Sequence, residues 1–242
     1  DANVSFDMSR GESRVLRDVD LQVQRGETLG IVGESGSGKS MLASAMLDAV
    51  VDPGQLSGEV TFYPDEGEPV DVLSLSEREQ TELRWNEISF VIQAAQSAFN
   101  PTMTVGAHFE ETLRAHDRDV SEGMATATEL LEDLYLPADQ VLRSHPHELS
   151  GGQKQRALIA LSLILEPSVL VMDEPTAALD LLMQRSIISL LADLKEKYDL
   201  TMVFITHDLP LVAELADRIA VMYAFQLIEV ADREQLIGNS GH

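Results

Sequence analysis

The stretch Gly33-Glu34-Ser35-Gly36-Ser37-Gly38-Lys39-Ser40 decides how this chain is read. It satisfies the phosphate-loop pattern G-x-x-x-x-G-K-[ST] at every fixed position. Thr28-Leu29-Gly30-Ile31-Val32 enters it as a buried strand, and Met41–Leu47 leaves it as the first turns of a helix. Glycines let the backbone close around an anion without Cβ clashes. Successive N–H groups and the positive end of the following helix then point at phosphate groups. In such a loop Lys39 reaches the β- and γ-phosphates and the Ser40 hydroxyl holds Mg²⁺. A glycine-rich strand-to-helix turn with an incidental lysine would look the same locally, so the rest of the chain must decide.

The chain has 242 residues, of which 44% are hydrophobic, enough to bury a substantial core in one large domain or a core with a subdomain. Its longest apolar stretches, around Ala157–Leu165, are too short to span a bilayer. No secretory leader is visible, and the absence of cysteine excludes disulfides and thiolate metal sites. Asp and Glu number 41 against 17 Lys and Arg, a formal charge of −24. That balance argues against non-specific nucleic-acid binding, which needs a basic face for its phosphate footprint. Only Lys39, Lys154, Lys195 and Lys197 are lysines. So acidic and lysine-poor a composition resembles that of proteins from salt-loving organisms, where high ionic strength screens self-repulsion. An acidic protein of ordinary salt tolerance is the alternative.

Along the chain, Val4–Asp7 and Val15–Gln24 read as strands around the turn Arg10-Gly11-Glu12-Ser13, an antiparallel opening that leans on the nucleotide core. Gly58–Tyr63 and Val70–Leu73 read as further strands, and Ser76–Arg84 as a helix with Ser76 as N-cap. Glu87–Ile92 is a short strand ending at Gln93. From Val105 to about Leu136 the spacing of apolar residues is helical. The second half alternates a helix from Gln153, the strand Val169–Met172, a helix over 182–198, the strand Thr201–Thr206 and the strands Ile219–Tyr223 and Leu227–Val230. This predicts an α/β fold: a mostly parallel sheet with helices on its faces, an N-terminal antiparallel β subdomain and an inserted helical subdomain. The expected division is a core from residues 1–97 and 158–242, with residues 98–157 as the helical insertion.

Leu149-Ser150-Gly151-Gly152-Gln153 precedes a helix, and Asp173-Glu174-Pro175 closes the fully apolar strand Val169–Met172. With Gly33–Ser40, these stretches give a sequence that resembles the ATPases of ATP-binding cassette (ABC) transporters along nearly its whole length, a P-loop NTPase fold. Leu149–Gln153 matches that family's signature. Physically, Ser150 and the amides of Gly151 and Gly152 at a helix N-terminus offer a second anion site, although an ordinary N-cap after a flexible turn has the same residues. The resemblance implies that Ser150, Gly151, Gly152 and Gln153 meet the γ-phosphate of an ATP held by the opposite subunit. It implies that Asp173 serves Mg²⁺, directly or through the ion's water. Glu174 is then placed to orient and polarise the attacking water as general base. Gln93 matches the glutamine that senses Mg²⁺ and the attacking water, and His207 matches the histidine that contacts the γ-phosphate. Ala178-Leu179-Asp180 matches the loop that crosses the dimer interface. His145 and His147 lack a third ligand nearby in sequence and read as surface residues. The family's base-stacking aromatic is missing from the turn after the first strand. Arg10, whose guanidinium can lie on a base plane, is the candidate substitute, and base selectivity is left open.

The same resemblance implies ATP and Mg²⁺ as cofactors and a head-to-tail pair of identical or homologous ATP-binding subunits. It also implies transmembrane permease subunits as partners, an extracytoplasmic solute-binding protein as an indirect one, and a place on the cytoplasmic face of the membrane. Phe99 and Met103 are expected at the permease-docking surface. His147-Glu148-Leu149-Ser150-Gly151-Gly152, Asn100-Pro101 and Val221-Met222-Tyr223-Ala224 look most like dipeptide and oligopeptide importers, and nickel importers share these features. Phe225 stands where that subfamily usually has glycine. Asn239–His242 resembles the start of its C-terminal extension. A soluble ABC ATPase acting on ribosomes or DNA is the alternative of another class, and a regulatory nucleotide-binding module is a third.

Overall fold

The computed structural model describes residues 1–8, 11–91, 98–177 and 179–238. The phosphate-loop strand β3 (Thr28–Gly33) lies inside a six-stranded sheet. The order is β11 (Gln226–Asp232), β10 (Arg218–Tyr223), β3, β9 (Thr201–Thr206), β8 (Val169–Asp173) and β7 (Ile88–Val91). All neighbours run parallel except β10 and β11, which form an antiparallel hairpin at one edge. Strands buried on both faces read as continuous apolar runs, and β8 and β9 do so because they occupy the middle. Side chains alternate between faces with period two. Leu170, Met172, Met202 and Phe204 therefore join one apolar cluster with the helices, while Val171, Val203 and Ile205 join another with the opening strands.

That second cluster contains Val4 of β1 (Ala2–Met8), Leu16 of β2 (Gly11–Val19) and Leu42 of α1 (Lys39–Met46). β1 is the centre of a separate antiparallel sheet, between β2 and β4 (Gly54–Ser57). The sequence places no strand at β4, because Asp52-Pro53-Gly54 reads as a break; its pairing with β1 is non-local. β2 also ends at Val19, so residues 20–24, expected in the strand Val15–Gln24, lie outside it. β5 (Thr61–Phe62) and β6 (Val70–Asp71) shrink to a two-residue pair. The helix α2 (Glu77–Asn86) starts as expected, with Ser76 and Glu79 forming a reciprocal capping box.

The apolar helical pattern of 105–136 resolves into α3 (Val105–Ala115) and α4 (Val120–Asp133). The break at Asp117 has a left-handed φ of 53° and no glycine or proline to announce it. A short α5 (Ala138–Arg143) and then α6 (Gly151–Leu163) follow. α6 runs through residue 157, so one continuous helix joins the inserted region to the core. Phe99 is 3% exposed and belongs to the apolar core with Val105 and Phe109, its ring edge-on to His108. It is therefore a packing residue and not the docking residue the sequence suggests. Met103 is half-buried. The remaining α-helices among the described residues are α7 (Leu181–Tyr198), α8 (Leu209–Leu215) and α9 (Arg233–Gly238).

Candidate functional site

In the register of the sheet, Val32 lies opposite Thr206 and Asp173 opposite Ile205. Strands β3, β8 and β9 thus finish at a common edge. The segments leaving it are the phosphate loop, Glu174 and His207, at the carboxyl ends of the strands where ligands bind in open α/β sheets.

The phosphate loop is held from both sides. Lys39 is 7% exposed, and its ammonium donates to the carbonyls of Gly33 (2.8 Å) and Glu34 (3.0 Å) inside its own loop. A Cβ on Gly33 would fall 2.2 Å from the Met222 carbonyl oxygen. Gly38, the N-cap of α1, has a φ of 103°, and a Cβ there would fall 2.9 Å from the Val15 carbonyl. Close approach to β10 and β2 therefore accounts for these two glycines, beyond their freedom to wrap an anion. The hairpin tip contributes a further tie, since the Phe225 amide donates to the Ser37 carbonyl at 3.1 Å.

Asp173 is 5% exposed and its Oδ1 has no hydrogen-bond partner among the described residues. Burial pushes its carboxyl above the usual carboxylate range and the nearby Glu174 charge adds to this; a hydrogen bond from Ser40 and the Lys39 charge pull it back. The folded chain therefore favours a proton that the unfolded chain releases. The penalty is absent below the unfolded pKa, grows as pH rises toward the raised folded value, and persists above it. Asp173→Asn is accordingly expected to raise the melting temperature of the nucleotide-free protein by a few degrees at pH 7.5. The gain should fade as the buffer is taken into the acid range. Thermal scans without Mg²⁺ across that series check it, and an equal or lower melting temperature at pH 7.5 would contradict it.

Glu174 begins the turn after β8 with a φ of 49°, a conformation that costs a non-glycine residue on the order of 1 kcal/mol or more. Its amide continues the sheet ladder by donating to the Ile205 carbonyl at 2.9 Å. The carboxylate meets His207 Nδ1 at 2.8 and 2.9 Å to its two oxygens. Glu174 is largely buried while the His207 side chain is 65% exposed. The strained backbone thus aims a carboxylate at an imidazole on the next strand, beside Asp173 and the phosphate loop.

The signature segment is built differently. Ser150 caps α6: its Oγ accepts from the Gln153 amide (3.2 Å), and Gln153 Oε1 accepts from the Ser150 amide (2.9 Å). The first amide bonded within the helix is Lys154, to the Ser150 carbonyl, so the Gly151 and Gly152 amides have no intrahelical acceptor. No hydrogen bond or ion pair joins Ser150–Gln153 to Gly33–Ser40 among the described residues. Asp180 caps α7, accepting from the amides of Leu182 and Met183. Sequence reading missed what sits behind these caps. A Cβ on Gly152 would meet Met183 Cε at 2.3 Å, and Gln184 Nε2 donates to the Thr176 carbonyl at 3.1 Å. The start of α7 therefore touches both the signature helix and the turn after Glu174, contacts that carry no local signal. Gln93 and Arg10, both expected at the site, lie outside the described residues.

The donor set fits a phosphate-bound divalent cation. The buried Asp173 Oδ1 stands without a partner among the described residues, and the Ser40 hydroxyl reaches the same carboxylate. No group of three or more His, Asp or Glu side chains among those residues could hold a metal alone. An ion here would need further oxygens from a ligand, as Mg²⁺ takes them from phosphates.

The sequence profile of the ABC transporter family matches residues 16–177, from β2 through the phosphate loop and signature to the turn after Glu174. The chain belongs to the ABC transporter family. The cassette is 41% identical over 246 residues to the oligopeptide transport ATP-binding protein OppD of Bacillus subtilis (strain 168), covering 100% of this chain and 67% of that protein. It is 42% identical over 245 residues to the dipeptide transport ATP-binding protein DppD of Caldanaerobacter subterraneus, covering 100% of this chain and 74% of the relative. Among solved structures, the dimeric post-hydrolysis state of the ATP-binding cassette MJ0796 bound to ADP and Pi superposes with a TM-score of 0.79. It is 27% identical, and the match covers 96% of this chain and 99% of that one. Among the described residues, no helix of the cassette is long and apolar enough to cross a membrane.

Proposed function

We propose that this cassette is the ATP-hydrolysing subunit of an importer for dipeptides and oligopeptides, working as one of a pair of cassettes beneath membrane permease subunits. The observation that carries hydrolysis is the buried Glu174 carboxylate, held by His207 at the strand edge it shares with Asp173 and the phosphate loop. The peptide class rests on the names of the two relatives above.

In this reading the amides of Glu34–Ser40 cradle the phosphates, and Lys39 exchanges its two loop carbonyls for phosphate oxygens. Ser40, Asp173 and Gln93 are the residues that would hold Mg²⁺, and the ion would supply neutralisation of phosphate charge. Glu174 accepts a hydrogen bond from the attacking water and takes its proton; His207 keeps the carboxylate oriented and reaches the γ-phosphate. Ser150, Gly151, Gly152 and Gln153 act on the nucleotide of the second subunit, with Asp180 fixing the loop between them. That no hydrogen bond joins the signature to the phosphate loop among the described residues of one chain supports that division. Residues 98–157 form the helical subdomain that carries the signature. The pair sits on the cytoplasmic face of the membrane, and a solute-binding protein delivers the peptide from the other side.

ATP turnover by the complex with its permease, reconstituted in liposomes, tests the solute class. Short peptides with their binding protein should stimulate phosphate release several-fold, and stimulation by Ni²⁺ in their place would overturn the peptide reading. The acidic, lysine-poor surface supports adaptation to high salt. The melting temperature is expected to climb as KCl rises from low to molar concentration; a flat or falling series would exclude that adaptation.

A further inference from the structure

One apolar cluster runs from Val105, Phe109 and Leu134 to Leu163, Leu194 and Met202, so it spans the inserted helices and the central sheet. Apolar packing of this kind sets proximity without fixing direction. Direction needs hydrogen bonds, and the last turn of α4 supplies them. Asp133 Oδ2 accepts from Lys197 Nζ at 2.5 Å and from Tyr198 Oη at 2.6 Å, both in the last turn of α7. Among the described residues, this is the one ion pair that joins residues 98–157 to the rest of the chain. A carboxylate in the last turn of a helix opposes the helix dipole, so α4 itself gains nothing from it. Burial alone would push the Asp133 carboxyl up. The hydrogen bonds from Lys197 and Tyr198, with the lysine charge, outweigh burial and hold it below the usual carboxylate range. In a chain with four lysines against 41 acids, one lysine is committed to a contact 64 residues away.

The same helix end holds the signature. Arg156 of α6 donates through Nη1 to the carbonyls of Leu134 (3.0 Å) and Tyr135 (3.3 Å), which directly follow Asp133. Its Nε reaches the Gly152 carbonyl at 3.3 Å. A cation suits the carbonyl end of a helix, so this guanidinium joins the end of α4 to the start of α6. The other end of α7 reaches the signature as well, where Met183 closes on Gly152. Met183 and Lys197 are fourteen residues apart, roughly 21 Å along the helix axis. One straight helix thus grips the signature-bearing unit at two separated points, which fixes its tilt.

We propose that Asp133 is a positioning residue for the signature, anchoring α4 to α7 so that Arg156 holds Ser150, Gly151 and Gly152 at a fixed angle. This rests on the reading of Ser150–Gln153 as the contact to the second subunit's nucleotide. The Tyr198 bond bears on the salt adaptation inferred above, because molar salt screens the lysine pair and leaves the neutral donor in place.

The test measures ATP-driven dimerisation of the full chain by sedimentation in the Glu174→Gln background. Beside it stand the ATP affinity of the monomer, read at dilution, and amide exchange over residues 149–156 without nucleotide. Asp133→Ala should weaken dimerisation about three- to tenfold and quicken that exchange. ATP affinity of the monomer should stay unchanged, because none of these bonds involves the phosphate loop. Asp133→Asn keeps an acceptor for Tyr198 and should recover part of the loss. Unchanged dimerisation in Asp133→Ala would overturn the proposal. So would an equal loss of monomer ATP affinity, the mark of general damage to the fold. A Glu174→Gln parent that stays monomeric with ATP would refute the shared site beneath the proposal. Unchanged exchange over residues 149–156 in Asp133→Ala would refute the anchor itself.

Discussion

Replacing Glu174 by Gln is expected to lower ATP turnover by roughly two to four orders of magnitude, the usual weight of a positioned general base. The substitution is nearly isosteric, and the backbone that aims it is held by the hydrogen bond from the Glu174 amide to the Ile205 carbonyl and not by the side chain. The turn after β8 should therefore keep its shape. What disappears is the acceptor that takes the proton from water, together with the charge that His207 Nδ1 contacts at 2.8 Å. Because both nucleotides lie between two cassettes in the proposed cycle, blocked hydrolysis should leave the pair closed. Gel filtration of Glu174→Gln with ATP should show a dimer that the nucleotide-free protein does not form. Elution as a monomer alone would reject the shared site, and wild-type phosphate release would reject Glu174 as the base.

Replacing Lys39 by Ala is expected to lower turnover by about 10²- to 10³-fold, as for loss of one preorganised donor to a developing negative charge, and to weaken ATP binding as well. The ammonium is buried and bridges two carbonyls of its own loop, so its removal also leaves Gly33 and Glu34 without their donor. Amide exchange across Gly33–Ser40 should then quicken even without nucleotide. Lys39→Arg should not restore activity, since a planar guanidinium cannot replace a compact point charge between those carbonyls. Wild-type ATP affinity in Lys39→Ala would contradict the placement of this side chain on the phosphates.

The strand, loop and helix around Gly33–Ser40 were legible because local pattern and tertiary role coincide there. An apolar run buried on both faces leads into residues that only a tight anion-wrapping turn requires. Ser76 and Ser150 were legible for a similar reason, since a capping box is written within four residues. Strand β4 was not, because its pairing with β1 is made some fifty residues away in the chain. The gap between α3 and α4 was hidden because Asp117 adopts a left-handed φ without a residue that signals it. Phe99 misled because a proline-closed polar loop suggests a surface, whereas the ring turns inward onto His108. At the site, the residue types were readable but their contacts were not. Neither the grip of His207 on Glu174 nor the bond from Phe225 to Ser37 leaves a trace in spacing, as 33 and 188 residues separate the partners.

The level finish of β3, β8 and β9 has a consequence for how such a protein can diverge. Adding or deleting one residue within β8 or β9 would turn Leu170 and Phe204 to the opposite face and carry Asp173 off the edge it shares with Ile205. Loops on this scaffold can lengthen or change sequence with little effect on the alignment of the reacting groups, whereas the central strands behave as fixed-length rulers. In a distant relative, the count of residues from strand start to carboxylate should therefore outlast the identity of the residues between them.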